Sequence, residues 1–114
     1  MPEENIRPWG RYDIVGKTKV ISVNPNEGFS LQYHQRRDEF WRVLSGSGRV
    51  TIGEETYDAK EGDAYQIPKG TIHRMEAGPE GISFLEIATG NVDEDDIVRL
   101  EDKYGRKSPN NNNS

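Results

Sequence analysis

Apolar and polar residues alternate with a period of two along most of this chain, and turn-forming residues repeatedly interrupt the alternation. Residues 39–44 run Glu-Phe-Trp-Arg-Val-Leu and residues 82–89 run Ile-Ser-Phe-Leu-Glu-Ile-Ala-Thr. As strands, the first would place Trp41 and Val43 on one face, and the second would group Phe84, Glu86 and Ala88. The same reading predicts further strands over 11–15, 19–23, 29–34, 48–52, 55–58, 64–67 and 72–76. Between them lie segments such as Asn24-Pro25-Asn26-Glu27-Gly28, Lys60-Glu61-Gly62-Asp63 and Pro68-Lys69-Gly70, rich in residues that favour turns. The stretch around Gly53 reads as a tight hairpin. One window differs: 93–104 carries a possible cap at Asp93, acidic residues in its first turn, and Arg99 and Lys103 toward its end, which predicts a short C-terminal helix. Many short antiparallel strands with glycine corners imply an all-β jelly roll or barrel.

With 114 residues, the chain has room for one domain with a real core. That domain is predicted over 1–106. The polar stretch 107–114, ending in four asparagines and a serine, has no apolar anchor and is expected to be disordered. Cysteine is absent, which excludes disulfides, thiolate metal sites and thiol nucleophiles. No apolar run reaches the length of a membrane span, and Met1-Pro2-Glu3-Glu4 lacks the basic start of a signal peptide. A cytoplasmic protein without a membrane partner is expected. The formal net charge of −5 argues against nucleic-acid binding, which rests on a positive surface. An anionic ligand would need a local cluster of arginines and lysines.

Candidate chemistry comes from two separate segments. Gln32 and His34 sit two apart and leave one face of a strand; Glu39 follows a short turn, and His73 follows the bend expected at Pro68 and Gly70. Two imidazoles, a carboxylate and an amide oxygen suit a divalent first-row ion such as zinc, iron, manganese or nickel, and disfavour calcium. The chain has only two histidines, and both fall in this set. The competing reading is that they are unrelated core or surface residues, since short spacings recur by chance.

These residues also match a known pattern. Gln32, His34, Glu39 and Gly46 resemble the first cupin signature, and Gly62, Pro68, Gly70 and His73 resemble the second. The fuller likeness is to the C-terminal phosphomannose isomerase domain of the type II, bifunctional mannose-1-phosphate guanylyltransferase and mannose-6-phosphate isomerase enzymes. It runs through Arg7-Pro8-Trp9-Gly10, Ser30-Leu31-Gln32-Tyr33-His34, Arg37, Glu39, Trp41, Ile67-Pro68-Lys69-Gly70, His73-Arg74, Glu86 and the segment from Glu94 to Arg106. Three departures stand out: Asn26 replaces a usual glycine, Ala77 a usual asparagine, and Gln35 and Arg36 follow His34 where the family has a run of histidines. The nucleotidylyltransferase half and its glycine-rich loop are not in this sequence, so GDP-mannose synthesis is not expected from it.

The resemblance implies a cupin jelly-roll β-barrel and a metal-dependent isomerase that interconverts mannose 6-phosphate and fructose 6-phosphate. In that reading Gln32, His34, Glu39 and His73 hold the metal, with zinc the first choice, and Glu86 relays the proton. The bland reading of Glu86 is a structural ion pair. Arg37 stands at the family's arginine position and is the leading contact for the phosphorylated hexose. Lys69, Arg74, Arg99 and Arg106 are further candidates for the substrate, the last two from the C-terminal element, each with a surface charge as the alternative, and Trp41 is expected either to wall the pocket or to join the core. A homodimer is expected by resemblance, with the segment of Trp9 covering the barrel or crossing to a partner. A cupin dioxygenase and a non-catalytic sugar-binding module are the competing functions, because one fold carries many chemistries.

Overall fold

A computed structural model describes residues 5–15, 18–91 and 95–101. The pattern of alternation is realised as nine strands: β1 (Ile6–Arg7), β2 (Gly10–Val15), β3 (Thr18–Val23), β4 (Leu31–Tyr33), β5 (Arg37–Ile52), β6 (Glu55–Lys60), β7 (Ala64–Ile67), β8 (His73–Gly90) and β9 (Val98–Glu101). Every pairing between them is antiparallel. One path through the sheet runs β1-β2-β3-β8-β4-β9, while β5 pairs with β6, β7 and β8.

Two long strands organise the barrel. β5 and β8 pair from Arg37↔Gly90 to Ile52↔His73, with the register shifting near Ser45 and again near Gly48. The sequence places breaks in both stretches because of their glycines, yet the strands pass through them. A side chain on Gly46 would overlap the Gly81 carbonyl oxygen, and one on Gly48 would overlap that of Glu76. These glycines therefore mark a close approach of two backbones rather than a turn.

The core lies inside this curve. Trp41 packs on Phe84 with ring centroids 4.7 Å apart, Phe29 meets Trp41 edge-on at 5.8 Å, and Trp9 meets Phe29 at 5.7 Å. Val43, Val50 and Met75 fill the space beside them. Trp9 thus belongs to the chain's own core, and the Asn24 N–H donates to its carbonyl at 2.9 Å. The strand-period alternation of β8 puts Phe84 and Glu86 on the buried side, as their spacing predicts.

The predicted helix over 93–104 is corrected. Its described part holds a turn at Asp95 and then strand β9. Val98 and Arg99 pair with Tyr33 and Gln32 of β4, so a long-range ladder overrides the local capping signals. Residues 93, 94 and 102–114, including Arg106 and the polar tail, lie outside the described residues. No helix among the described residues is long and apolar enough to cross a membrane.

Candidate metal centre

The turn after β4 and the first residues of β5 and β8 bring His34, Glu39 and His73 together. All three are buried, and one potential ligand atom from each lies within 4.8 Å of the others. The strands set this geometry. Gln32 is the Cα partner of His73 across β4 and β8, and the Gly70 N–H donates to the His34 carbonyl at 2.6 Å, tying the two histidine segments by backbone. Gly70 takes a positive φ of 79° in the bend before His73.

Both imidazoles are fixed in one tautomer. His34 Nδ1 lies 2.6 Å from the Asp96 carbonyl and His73 Nδ1 lies 2.9 Å from the Thr71 carbonyl. A carbonyl only accepts, so each Nδ1 carries the proton and each Nε2 keeps a lone pair. The ring centroids are 5.0 Å apart. Glu39 sits between them, its Oε2 3.2 Å from His34 Nε2 and its Oε1 3.9 Å from His73 Nε2.

Arg37 and Trp41 frame the carboxylate. Arg37 Nε donates to Glu39 Oε2 and Trp41 Nε1 to Glu39 Oε1, both at 2.9 Å, while Arg37 Nη2 lies 3.1 Å from His34 Nε2. Period-two spacing accounts for the trio, since 37, 39 and 41 share the inner face of β5. Burial alone would raise the Glu39 carboxyl, but the close approach of His34 and the charges of His73 and Arg37 outweigh it and bring it down to about 2. Desolvation pushes His73 down to about 4 against the opposing pull of Glu39. At neutral pH the centre therefore holds an ionised carboxylate beside a neutral imidazole.

This donor set fits a divalent cation. His73 Nε2 is buried without a hydrogen-bond partner, an orphaned acceptor aimed beside a carboxylate, which is the condition a metal ligand leaves when its ion is removed. The carbonyls on each Nδ1 provide the outer hydrogen bonds that orient such ligands. Asp96 supports the same turn from behind: its Oδ1 and Oδ2 accept the N–H groups of Gln35 and Arg36 at 2.9 and 2.8 Å. Gln35 and Arg36 themselves are exposed.

A cavity of about 190 Å³ opens beside the centre, and Gln32, His34, Arg37 and Glu86 are among its lining residues. The Gln32 Oε1 accepts from Ser30 Oγ at 2.6 Å. Burial pushes the Glu86 carboxyl up to about 8, with the Glu39 charge adding to the shift and Lys19 and Arg37 opposing it.

The remaining predicted residues stand elsewhere. Trp41 is buried beneath the site rather than in the cavity wall. Lys69 is exposed, with its backbone N–H on Asp38 Oδ1 at 2.8 Å. Arg74 turns to Glu76 and Glu101 and lines a different groove, beside Asn26 and Glu27. Arg99, expected to close over the substrate from the C-terminal element, does line the cavity, whereas Asp96 and the cavity residues Arg7, Tyr12 and Lys19 were missed as site residues. Only the family likeness, which includes Arg7 and the segment from Glu94 onward, carried a hint of Arg7 and Asp96.

Known proteins agree with this architecture. The family described as mannose-6-phosphate isomerase C-terminal matches residues 1–102. The mannose-1-phosphate guanylyltransferase RfbM of Salmonella typhimurium is 43% identical over 110 residues, covering 90% of this chain and 23% of that protein. The chain thus spans about a quarter of the length of the curated relatives it matches. Among solved structures, a putative sugar phosphate isomerase from Acidithiobacillus ferrooxidans aligns with a TM-score of 0.59 at 25% identity, covering 67% of this chain and 50% of that one. A cupin-2 domain from Rhodospirillum rubrum aligns with a TM-score of 0.63 at 21% identity, covering 73% and 60%. The barrel is a cupin, and the chain belongs to the mannose-6-phosphate isomerase C-terminal family.

Proposed function

We propose that the protein is a metal-dependent sugar-phosphate isomerase that interconverts mannose 6-phosphate and fructose 6-phosphate. The observation that carries this reading is the convergence of two Nε2 lone pairs and one ionised carboxylate beside a cavity holding a second, separately buried carboxyl group. His34, Glu39 and His73 would hold the ion, with the Gln32 amide oxygen as a fourth ligand and zinc the first choice. When bound, a divalent ion supplies Lewis-acid polarisation of the substrate's carbonyl and hydroxyl oxygens.

The chain's own residues supply the rest. The Glu86 carboxylate takes the proton from C2 of mannose 6-phosphate, the O2 hydroxyl proton passes to O1, and the Glu86 acid returns its proton to C1 to give fructose 6-phosphate. Its burial in the cavity wall suits it to both halves of this relay, because desolvation narrows the gap between its charged and neutral forms. Arg37 holds Glu39 and presents its planar fork at the same cavity, where it can meet a substrate oxygen.

The test is direct: strip the purified protein with chelator, restore single divalent metals, and follow fructose 6-phosphate formation from mannose 6-phosphate. Turnover with one or more metals supports the reading. Metal binding with no turnover under any of them would leave a sugar-binding module as the better account.

A further inference from the structure

The six strands of one path, joined by Arg37 of β5, line the cavity beside the metal centre, and each of the six contributes a polar side chain. In the order β1-β2-β3-β8-β4-β9 these are Arg7, Tyr12, Lys19, Glu86, Gln32 and Arg99. Depth separates them. Glu86 is buried at 7% exposure, as is Arg37 at 6%, whereas Arg7, Lys19 and Arg99 are half-buried. The carboxyl and imidazole groups thus share the floor with Arg37, and three further cations occupy the mouth.

The cations are positioned rather than loosely solvated. Arg7 Nη2 donates to the Tyr12 hydroxyl at 3.3 Å, and the Arg7 guanidinium and the Lys19 ammonium rest over the Tyr12 ring at 5.0 and 4.8 Å from its centroid. Arg99 is brought to the other side of the row by its pairing with Gln32. In a chain of net charge −5, three cations around one cavity mark a local reversal of the overall field. At about 190 Å³ the space suits a small polar molecule rather than a drug-sized one.

We propose that Arg7, Lys19 and Arg99 form the subsite that captures the phosphomonoester end of the substrate, leaving its uncharged carbons to reach the floor. A phosphate dianion offers three acceptor oxygens, which two guanidinium forks and an ammonium can share. This assignment rests on the isomerase reading only for the identity of the sugar, and it moves phosphate capture away from Lys69 and Arg74.

The experiment uses the metal-loaded full chain and its Arg7→Gln, Lys19→Gln and Arg99→Gln variants, each checked for folding by its melting temperature, with Lys69→Gln as an exposed control. Affinities for mannose 6-phosphate and for mannose are measured by ligand-observed NMR titration. Each mouth substitution is expected to weaken mannose 6-phosphate at least about tenfold, the scale of one lost hydrogen bond to a charged group. Mannose affinity and the Lys69→Gln variant should not change. The three variants are read separately, so a single misfolded one leaves two informative. Equal losses for both sugars, or no loss in the folded mouth variants, would overturn the subsite even if the wild type turns over. Selective losses in a protein that never isomerises would uphold the subsite and sink the isomerase reading.

Discussion

A wide groove on the barrel and the smaller cavity at the metal centre are different places. A groove of about 520 Å³ lies along β5, β6 and β8, among Ser47, Arg49, Asp58 and Lys60. The cavity at the metal centre has about 190 Å³. None of the groove's charged residues is buried. In and below the smaller cavity lie two carboxyl groups driven apart, Glu39 to about 2 and Glu86 to about 8, with two buried imidazoles. Chemistry follows where charge has been taken out of water and held there by partners, and open space alone says little.

The sharpest way to break this contrast is Glu39→Gln. It removes the anionic ligand and takes from buried Arg37 the carboxylate that balances its charge, so metal retention and turnover should be lost and stability should fall by about 3–5 kcal/mol. Metal analysis after dialysis and a denaturant titration check both. Unchanged metal content would move the centre elsewhere.

Glu86→Gln comes next. Under the proposed relay kcat should drop about 10²–10⁴-fold while bound metal per chain stays constant. A variant that keeps its kcat would return Glu86 to the role of a buried structural acid.

Asp96→Ala should act less strongly. It deprives the N–H groups of Gln35 and Arg36 of their acceptor and loosens the segment whose carbonyl orients His34. Metal affinity is expected to weaken about 10–100-fold, as for other changes behind the ligands. Competition against a chromogenic chelator measures it.

The smallest effect belongs to the large groove. Lys60→Ala should leave turnover unchanged and stability within about 0.5 kcal/mol, because its side chain is exposed and its ion pair to Asp63, at 3.9 Å, is long. A marked loss of turnover there would undo the contrast between the two hollows.

Much of this was legible in the chain. Alternation placed Trp41, Val43, Phe84 and Glu86 on buried faces, and the spacing of Gln32, His34, Glu39 and His73 named residues that do converge or line the same cavity. What stayed hidden depends on pairing between distant segments. Val98-Arg99-Leu100-Glu101 alternates as a strand should, but an acidic cap upstream imitates a helix start, and only the partner β4 decides between them. Glycines that signal turns locally proved to be crossing points within β5 and β8. Of the mouth cations only Arg99 was expected near the substrate; Arg7 and Lys19 were illegible for the same reason, because one residue per strand forms a row only once the strand order is known.

The hydrogen bond from the Gly70 amide to the His34 carbonyl has a practical outcome for anyone altering this protein. It staples two loops at a fixed offset, so an inserted or deleted residue in 35–38 or 69–72 would dislocate one imidazole relative to the other even with every ligand retained. Loop length here is as much a part of the binding specification as side-chain identity.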